Sequence, residues 1–174
     1  MAVDRATVSI SASVLPDNMK VTVGGTIVYD INDIRSNGGA GNRWIHFRGI
    51  TDGTNAQNLV NITDLQGYVN HNIDYNDTPT TINEHNDDAV FILIKNSGYT
   101  GTRYQLSSTG TASTSDLYVG LSGGDLAINS GTIVIGSGEC WFAKLRGEQL
   151  SDINCGSSSG NLLYDVYAIV EDAS

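Results

Sequence analysis

Ala89-Val90-Phe91-Ile92-Leu93-Ile94 sets six apolar residues in succession. A strand with one wet face alternates apolar and polar residues, so an unbroken apolar run predicts a central strand covered on both faces, at the middle of the core. Outward from it, the clearest signals alternate or run apolar over four to eight residues between Gly, Asn, Ser and Asp clusters, which is a strand pattern. The predicted strands are Ala6–Val14, Lys20–Val23, Thr26–Ile31, Arg43–Arg48, Ala89–Lys95, Arg103–Ser107, Leu117–Leu121, Thr132–Ile135, Cys140–Leu145 and Leu162–Val170. Turns are expected at Ser36–Gly41, Gly98–Gly101, Ser122–Gly124 and Gly156–Gly160, where glycine permits positive φ. The one helical candidate is a short turn in Gly147–Ile153, with Leu150 and Ile153 three apart on one face. Short strands at near-regular spacing, without helices between them, predict an all-β fold: an antiparallel β-sandwich, jelly-roll-like, with little or no helix.

The chain has 174 residues and a mass of 18.5 kDa, with a mean hydropathy of −0.13. With 40% hydrophobic residues, that is material for one cored domain over residues 1–174. Twenty Gly, 17 Ser, 16 Asn and 15 Thr beside 2 Pro suit many turns between short strands. Residues 51–88 are less regular and rich in Asn and Asp, and are expected to form a long edge or arm insertion carrying short strands and an interface or a function. No stretch reaches the ~20 apolar residues that span a bilayer, and the first residues lack a basic segment followed by an apolar core, so membrane and ordinary secretion are disfavoured. Nineteen acidic against nine basic residues give a net charge of −10, which repels phosphate backbones and disfavours nucleic acid as a partner.

Motifs for chemistry are sparse. His46, His71 and His85 form no metal-spaced cluster with cysteine. Alternation through Arg43–Arg48 puts Trp44, His46 and Arg48 on one face; His46 is expected as a strand-surface histidine, and the alternative is a partner-contact strand, because Trp beside Arg suits a protein interface. Asp74-Tyr75-Asn76-Asp77-Thr78 with Glu84, Asp87 and Asp88 has calcium-type oxygens, but Pro79 stands where an EF-hand loop needs glycine, so a solvated acidic loop is expected. Cys140, beside Trp141 and Phe142, reads as a buried thiol, and a disulfide to Cys155 across the intervening turn is sterically open. No serine stands in G-x-S-x-G, no glycine run matches a phosphate-binding loop, and nothing selects a carboxylate pair. No catalytic, metal-binding or cofactor-binding residue is assigned, and the expectation is a non-enzymatic protein without cofactors.

Four segments carry a family resemblance: Val90 to Gly98 (VFILIKNSG), Asp116 to Val119 (DLYV), Ile135 to Leu145 (IGSGECWFAKL) and Tyr164 to Val170 (YDVYAIV). Together they resemble β-sandwich virion proteins of tailed bacteriophages, similar to head decoration (cement) proteins. The resemblance covers about half of the chain and leaves the first ~83 residues unmatched. It implies a protein made in the host cytoplasm that binds the major capsid protein on the outer head surface and stabilises the shell. It also implies a homo-oligomer, a trimer. Contacts are expected from Trp44, Arg48, Tyr68, Tyr75 and the 51–88 loop. The alternative is a carbohydrate- or receptor-binding sandwich module of a phage tail or fibre, with Trp44, Tyr75, Tyr99 and Tyr104 as stacking platforms. A hydrolase on the same scaffold would need two carboxylates converging in a cleft.

Overall fold

A computed structural model describes residues 4–13, 22–31, 43–53, 55–60, 88–101, 110–121 and 133–171. Its strands are β1 (Asp4–Ser13), β2 (Thr22–Ile31), β3 (Arg43–Ile50), β4 (Gln57–Asn58), β5 (Asp88–Thr100), β6 (Leu117–Gly120), β7 (Ile133–Ile135), β8 (Cys140–Lys144), β9 (Asn154–Ser157) and β10 (Leu162–Glu171). All pairings are antiparallel. The only helical turn among the described residues is the 3-10 turn Leu150–Asp152, inside the segment expected to be helical. Leu150 and Ile153 are both fully buried there. No described helix is long and apolar enough to cross a membrane.

β3 to β10 behave as one ribbon folded at its middle. The first strand of the eight pairs with the last (β3 with β10), the second with the seventh (β4 with β9), the third with the sixth (β5 with β8) and the two central ones with each other (β6 with β7). Two further seams, β10 with β5 and β9 with β6, close the ribbon into two four-stranded sheets ordered β3-β10-β5-β8 and β4-β9-β6-β7. The sheets face each other across one core. Ile92, Ile94, Val166 and Ala168 from the first meet Leu117, Val119, Ile135 and Cys155 from the second, with Leu59, Val60, Leu150 and Ile153 between. The apolar run is central as expected: β5 has neighbours on both edges, Ile92 and Ile94 face the core, and Phe91 is buried on the opposite face.

Among the described residues, β1 and β2 form a two-stranded ribbon of their own. It corrects one expectation, since Lys20–Val23 and Thr26–Ile31 are not two strands with a break between them. β2 runs straight through Gly24 and Gly25, which pair with Ser11 and Ile10; a continuous partner ladder carries the glycines along. The proposed turn at Gly98–Gly101 is likewise inside β5 as far as Thr100. Gly98 has φ +77, and β5 carries two more residues than β10 between Asn96 and Thr100, so the glycine serves a bulge. Gly156 and Ser157 end β9, and the bend begins at Ser158. The short β4 lies in the 51–88 segment, which was expected to carry short strands; β9 was not among the expected strands, while Arg103–Ser107 and the turns Ser36–Gly41 and Ser122–Gly124 lie outside the described residues.

Buried polar groups tie the two sheets together. Asn96, fully buried, donates from Nδ2 to the carbonyls of Ser115 and Ile135 at 3.0 Å each, and its Oδ1 accepts from the Gly98 N–H at 2.9 Å. Tyr164 crosses the core to donate its hydroxyl to the Leu59 carbonyl at 2.7 Å. Thr51 and Ser157, also buried, form a relay at one end: Leu162 N–H donates to Thr51 Oγ1, which donates to Ser157 Oγ, which reaches the Gly53 and Gly160 carbonyls at 2.6 Å. Thr51 opens the segment expected to be an excursion, so that excursion begins as part of the core.

The Tyr164 ring fixes its cross-strand partner. A Cβ on Gly49 would sit 2.2 Å from Tyr164 Cζ, whereas one on Gly25 meets nothing within 4 Å. Gly49→Ala should therefore lower stability by about 2 kcal/mol or more through overpacking, while Gly25→Ala should change it by less than about 0.5 kcal/mol. Denaturant melts of the two variants check the contrast; equal midpoints would refute it.

Candidate interaction surface

Residues directly opposite in an antiparallel ladder share a face, so the registers of β3, β10, β5 and β8 define the outward grid of that sheet. One row is Trp44, Ile169, Phe91 and Lys144; the next is His46, Tyr167, Leu93 and Phe142; the third is Arg48, Asp165, Lys95 and Cys140. Phe91 and Ile169 are buried in a small cluster of their own, packed with Val90 and Leu93. In the middle row Tyr167 is 44% and Phe142 42% exposed, with half-buried Leu93 between them. Lys95 and Lys144 are exposed at the margins. Two exposed aromatic rings in line across three strands make an apolar ridge, the kind of surface found at protein contacts.

The third row is held by charge. Arg48 Nε donates to Asp165 Oδ1 at 2.7 Å and Nη2 to Oδ2 at 2.9 Å, a two-pronged pair that matches guanidinium to carboxylate geometry. Asp165 is 5% exposed. The hydrogen bond to Asp165 outweighs partial burial and raises the Arg48 pKa above its ordinary value. Arg48, expected as a contact residue, is thus engaged across β3 and β10. Trp44 stands opposite Ile169, and only its backbone position and that of His46 are described. Tyr68, Tyr75, Tyr104, His71, His85 and the acidic run Asp74–Asp87 lie outside the described residues. Asp88 belongs to β5 and bridges to Gln149. Tyr99 is 36% exposed at the end of β5. Among the described residues no group of three His, Cys, Asp or Glu is placed to hold a metal ion.

The cysteines reverse one expectation. Cys140 is exposed and Cys155 is buried, and both are free. β8 is an edge strand whose odd and even positions face opposite ways, so Cys140 shares the outward side with Phe142 and Lys144. Trp141 turns inward to pack on the core. Apolar neighbours in sequence do not imply burial on a half-wet strand. Cys155 points into the core from β9, where burial pushes its thiol up to about 12, outweighing hydrogen bonding with Tyr164 and Gln57.

Leu93, Phe142, Tyr167 and Lys95 were missed as surface residues. The alternation of β8 held a signal for Phe142, but only the strand register brings the four together. No family model matches the chain, and neither a curated protein nor a solved structure matches it.

Two tests follow from this geometry. Arg48→Met removes the two-pronged guanidinium bond from the buried Asp165 carboxylate and should cost about 1–2 kcal/mol, discounted for the exposed side of the guanidinium. Arg48→Met with Asp165→Leu should recover most of that loss, and a double variant no better than the single one would contradict the pairing. In thiol titration of the native protein, Cys140 alone should react, with Cys155 joining only on unfolding. The raised Cys155 pKa makes its stability contribution complete below pH about 9.0 and lost as the pH climbs toward about 12. Cys155→Ala should flatten that alkaline decline in a pH series of melts.

Proposed function

We propose that the protein is a non-enzymatic decoration protein of a tailed-bacteriophage head, binding the major capsid protein on the outer surface as a homotrimer and stabilising the shell. The observation that carries this reading is the order of the strands. Pairing first with last, second with seventh, third with sixth and fourth with fifth, with the strands divided between two sheets, is the order expected of a jelly roll and supports this reading. Viral capsid and lectin domains are built on it. The segments that resemble decoration proteins supply most of β5, β6, β8 and β10, four of the eight described strands of this body.

The mechanism is additive. A stiff sandwich seated across neighbouring capsid subunits adds buried surface to the seam, and roughly 1,600 Å² per contact makes a stable association. Pressure from packaged DNA must then break those contacts as well as the shell's own. Burial of Asn96, Thr51 and Ser157 with their partners satisfied supports a body that transmits load without rearranging.

Shells of the phage that encodes the chain, stripped of the protein, test the proposal. The purified chain should co-sediment with them at a saturating stoichiometry and raise their resistance to heat. A glycan array should be blank. Failure to bind shells, together with a glycan signal, would transfer the reading to the lectin branch of jelly-roll proteins.

A further inference from the structure

We infer that the β1–β2 ribbon is the element through which copies of this chain join, its apolar face packing on the same face of neighbouring copies. The inference rests on the decoration reading for the trimer and names where its copies meet. Register defines the two faces. Ala6 stands opposite Tyr29, Val8 opposite Ile27 and Ile10 opposite Gly25, so one face is a strip of apolar positions. The positions between them form the other face. There Ser9 stands opposite Thr26 with their hydroxyls 3.4 Å apart, and Thr7, Ser9 and Thr26 are exposed. The apolar side is bare at its middle as well: Gly25 is exposed, and a Cβ built on it meets nothing within 4 Å.

A two-stranded ribbon is marginal in water on its own and becomes stable when its apolar face is packed. Among the described residues β1 pairs with β2 alone, so the ribbon is short of a cover. Eight successive register pairs, from Ala6–Tyr29 to Ser13–Thr22, carry no charged residue and no shift of register, on a chain of net charge −10. Strands guard against pairing with their like by charges, prolines or bulges, and along that length this ribbon has none of them. An uncharged strip gives a partner of opposite charge nothing to read. Copies of the chain bring an identical strip of identical length, without repulsion between the strips. Area then sets the number. Ten pairs at about 3.4 Å per residue, across two strands about 4.8 Å apart, give each copy a face of about 330 Å². Two such faces hold about 650 Å², short of the ~1,000 Å² that a specific association clears, and three closing around an axis reach it.

Light scattering on the full chain reads the contact. The parent should be a trimer, and Val8→Asp with Ile27→Asp should raise the concentration at which it dissociates at least about tenfold, because each copy would bury two carboxylates. Thr7→Asp with Thr26→Asp, on the wet face, should leave that concentration unchanged. Protection of Cys155 from a thiol reagent shows in each variant that the sandwich is still folded. Should the added charge unravel the ribbon itself, a second measurement leaves both faces nearly intact. A three-fold axis holds the three copies of position 10 at one height, so on a Cys140→Ser background Ile10→Cys should give disulfide-linked copies on oxidation with diamide, and Ser9→Cys should not. A monomeric parent, an oligomer that the apolar-face variant leaves intact, or linkage through Ser9→Cys in place of Ile10→Cys would overturn the inference. Co-sedimentation with the stripped shells separates it from the decoration reading. Shell binding by a monomeric parent would leave decoration standing and refute this contact, whereas no shell binding by a trimer that dissociates as expected would uphold the contact and overturn decoration alone. Loss of shell binding by the apolar-face variant with its oligomer intact would give the face to the shell and refute the inference.

Discussion

β10 has to satisfy two neighbours at once. It hydrogen-bonds to β3 on one edge and to β5 on the other, while Val166 and Ala168 point into the core and Tyr167 points out. Three strands far apart in sequence are thereby fixed in one register, and a slip of one residue would send the buried set into solvent. Every later feature depends on that constraint. The pairing of β8 onto β5, the return of β4 to β9, and the line of Tyr167, Leu93 and Phe142 are all consequences of where β10 is laid. Such long-range pairing delays folding, because loop closure precedes the contacts that reward it.

Within that frame the polar core residues act as registers. Asn96 holds β5 to the carbonyls before β6 and at the end of β7, Tyr164 reaches the carbonyl just past β4, and the Thr51–Ser157 relay closes the end where β3, β9 and β10 meet. Each would cost free energy if buried alone, and each is satisfied by the opposite sheet. The arrangement favours one packing of the sheets over others that the apolar residues alone would permit.

Much of the fold was legible because strand periodicity is local. The runs at Ala89–Lys95, Cys140–Leu145 and Leu162–Val170 became β5, β8 and β10, and the Leu150–Ile153 spacing became a buried turn. What was illegible depended on partners. β4 and β9 have few apolar residues of their own and exist because each pairs with another strand. Gly24 and Gly25 read as a break because their ladder partners lie elsewhere in the chain. Cys140 read as buried because its neighbours are apolar, although alternation on an edge strand turns it outward. The candidate surface was less legible still. Arg48 stands at alternate positions of β3 with Trp44 and His46, but its bond to Asp165, 117 residues away, has no local signature. Phe142 and Tyr167 come together only through β5 between them.

The central claim is that a rigid rolled sandwich works by seating on a shell of identical subunits. A cryo-electron microscopy reconstruction of the particle on which the proposal places the protein tests it most directly. The account predicts density for the two four-stranded sheets outside the capsid layer, across a seam between subunits. A fully occupied head without that density, or the sandwich at the tip of a tail fibre, would contradict it.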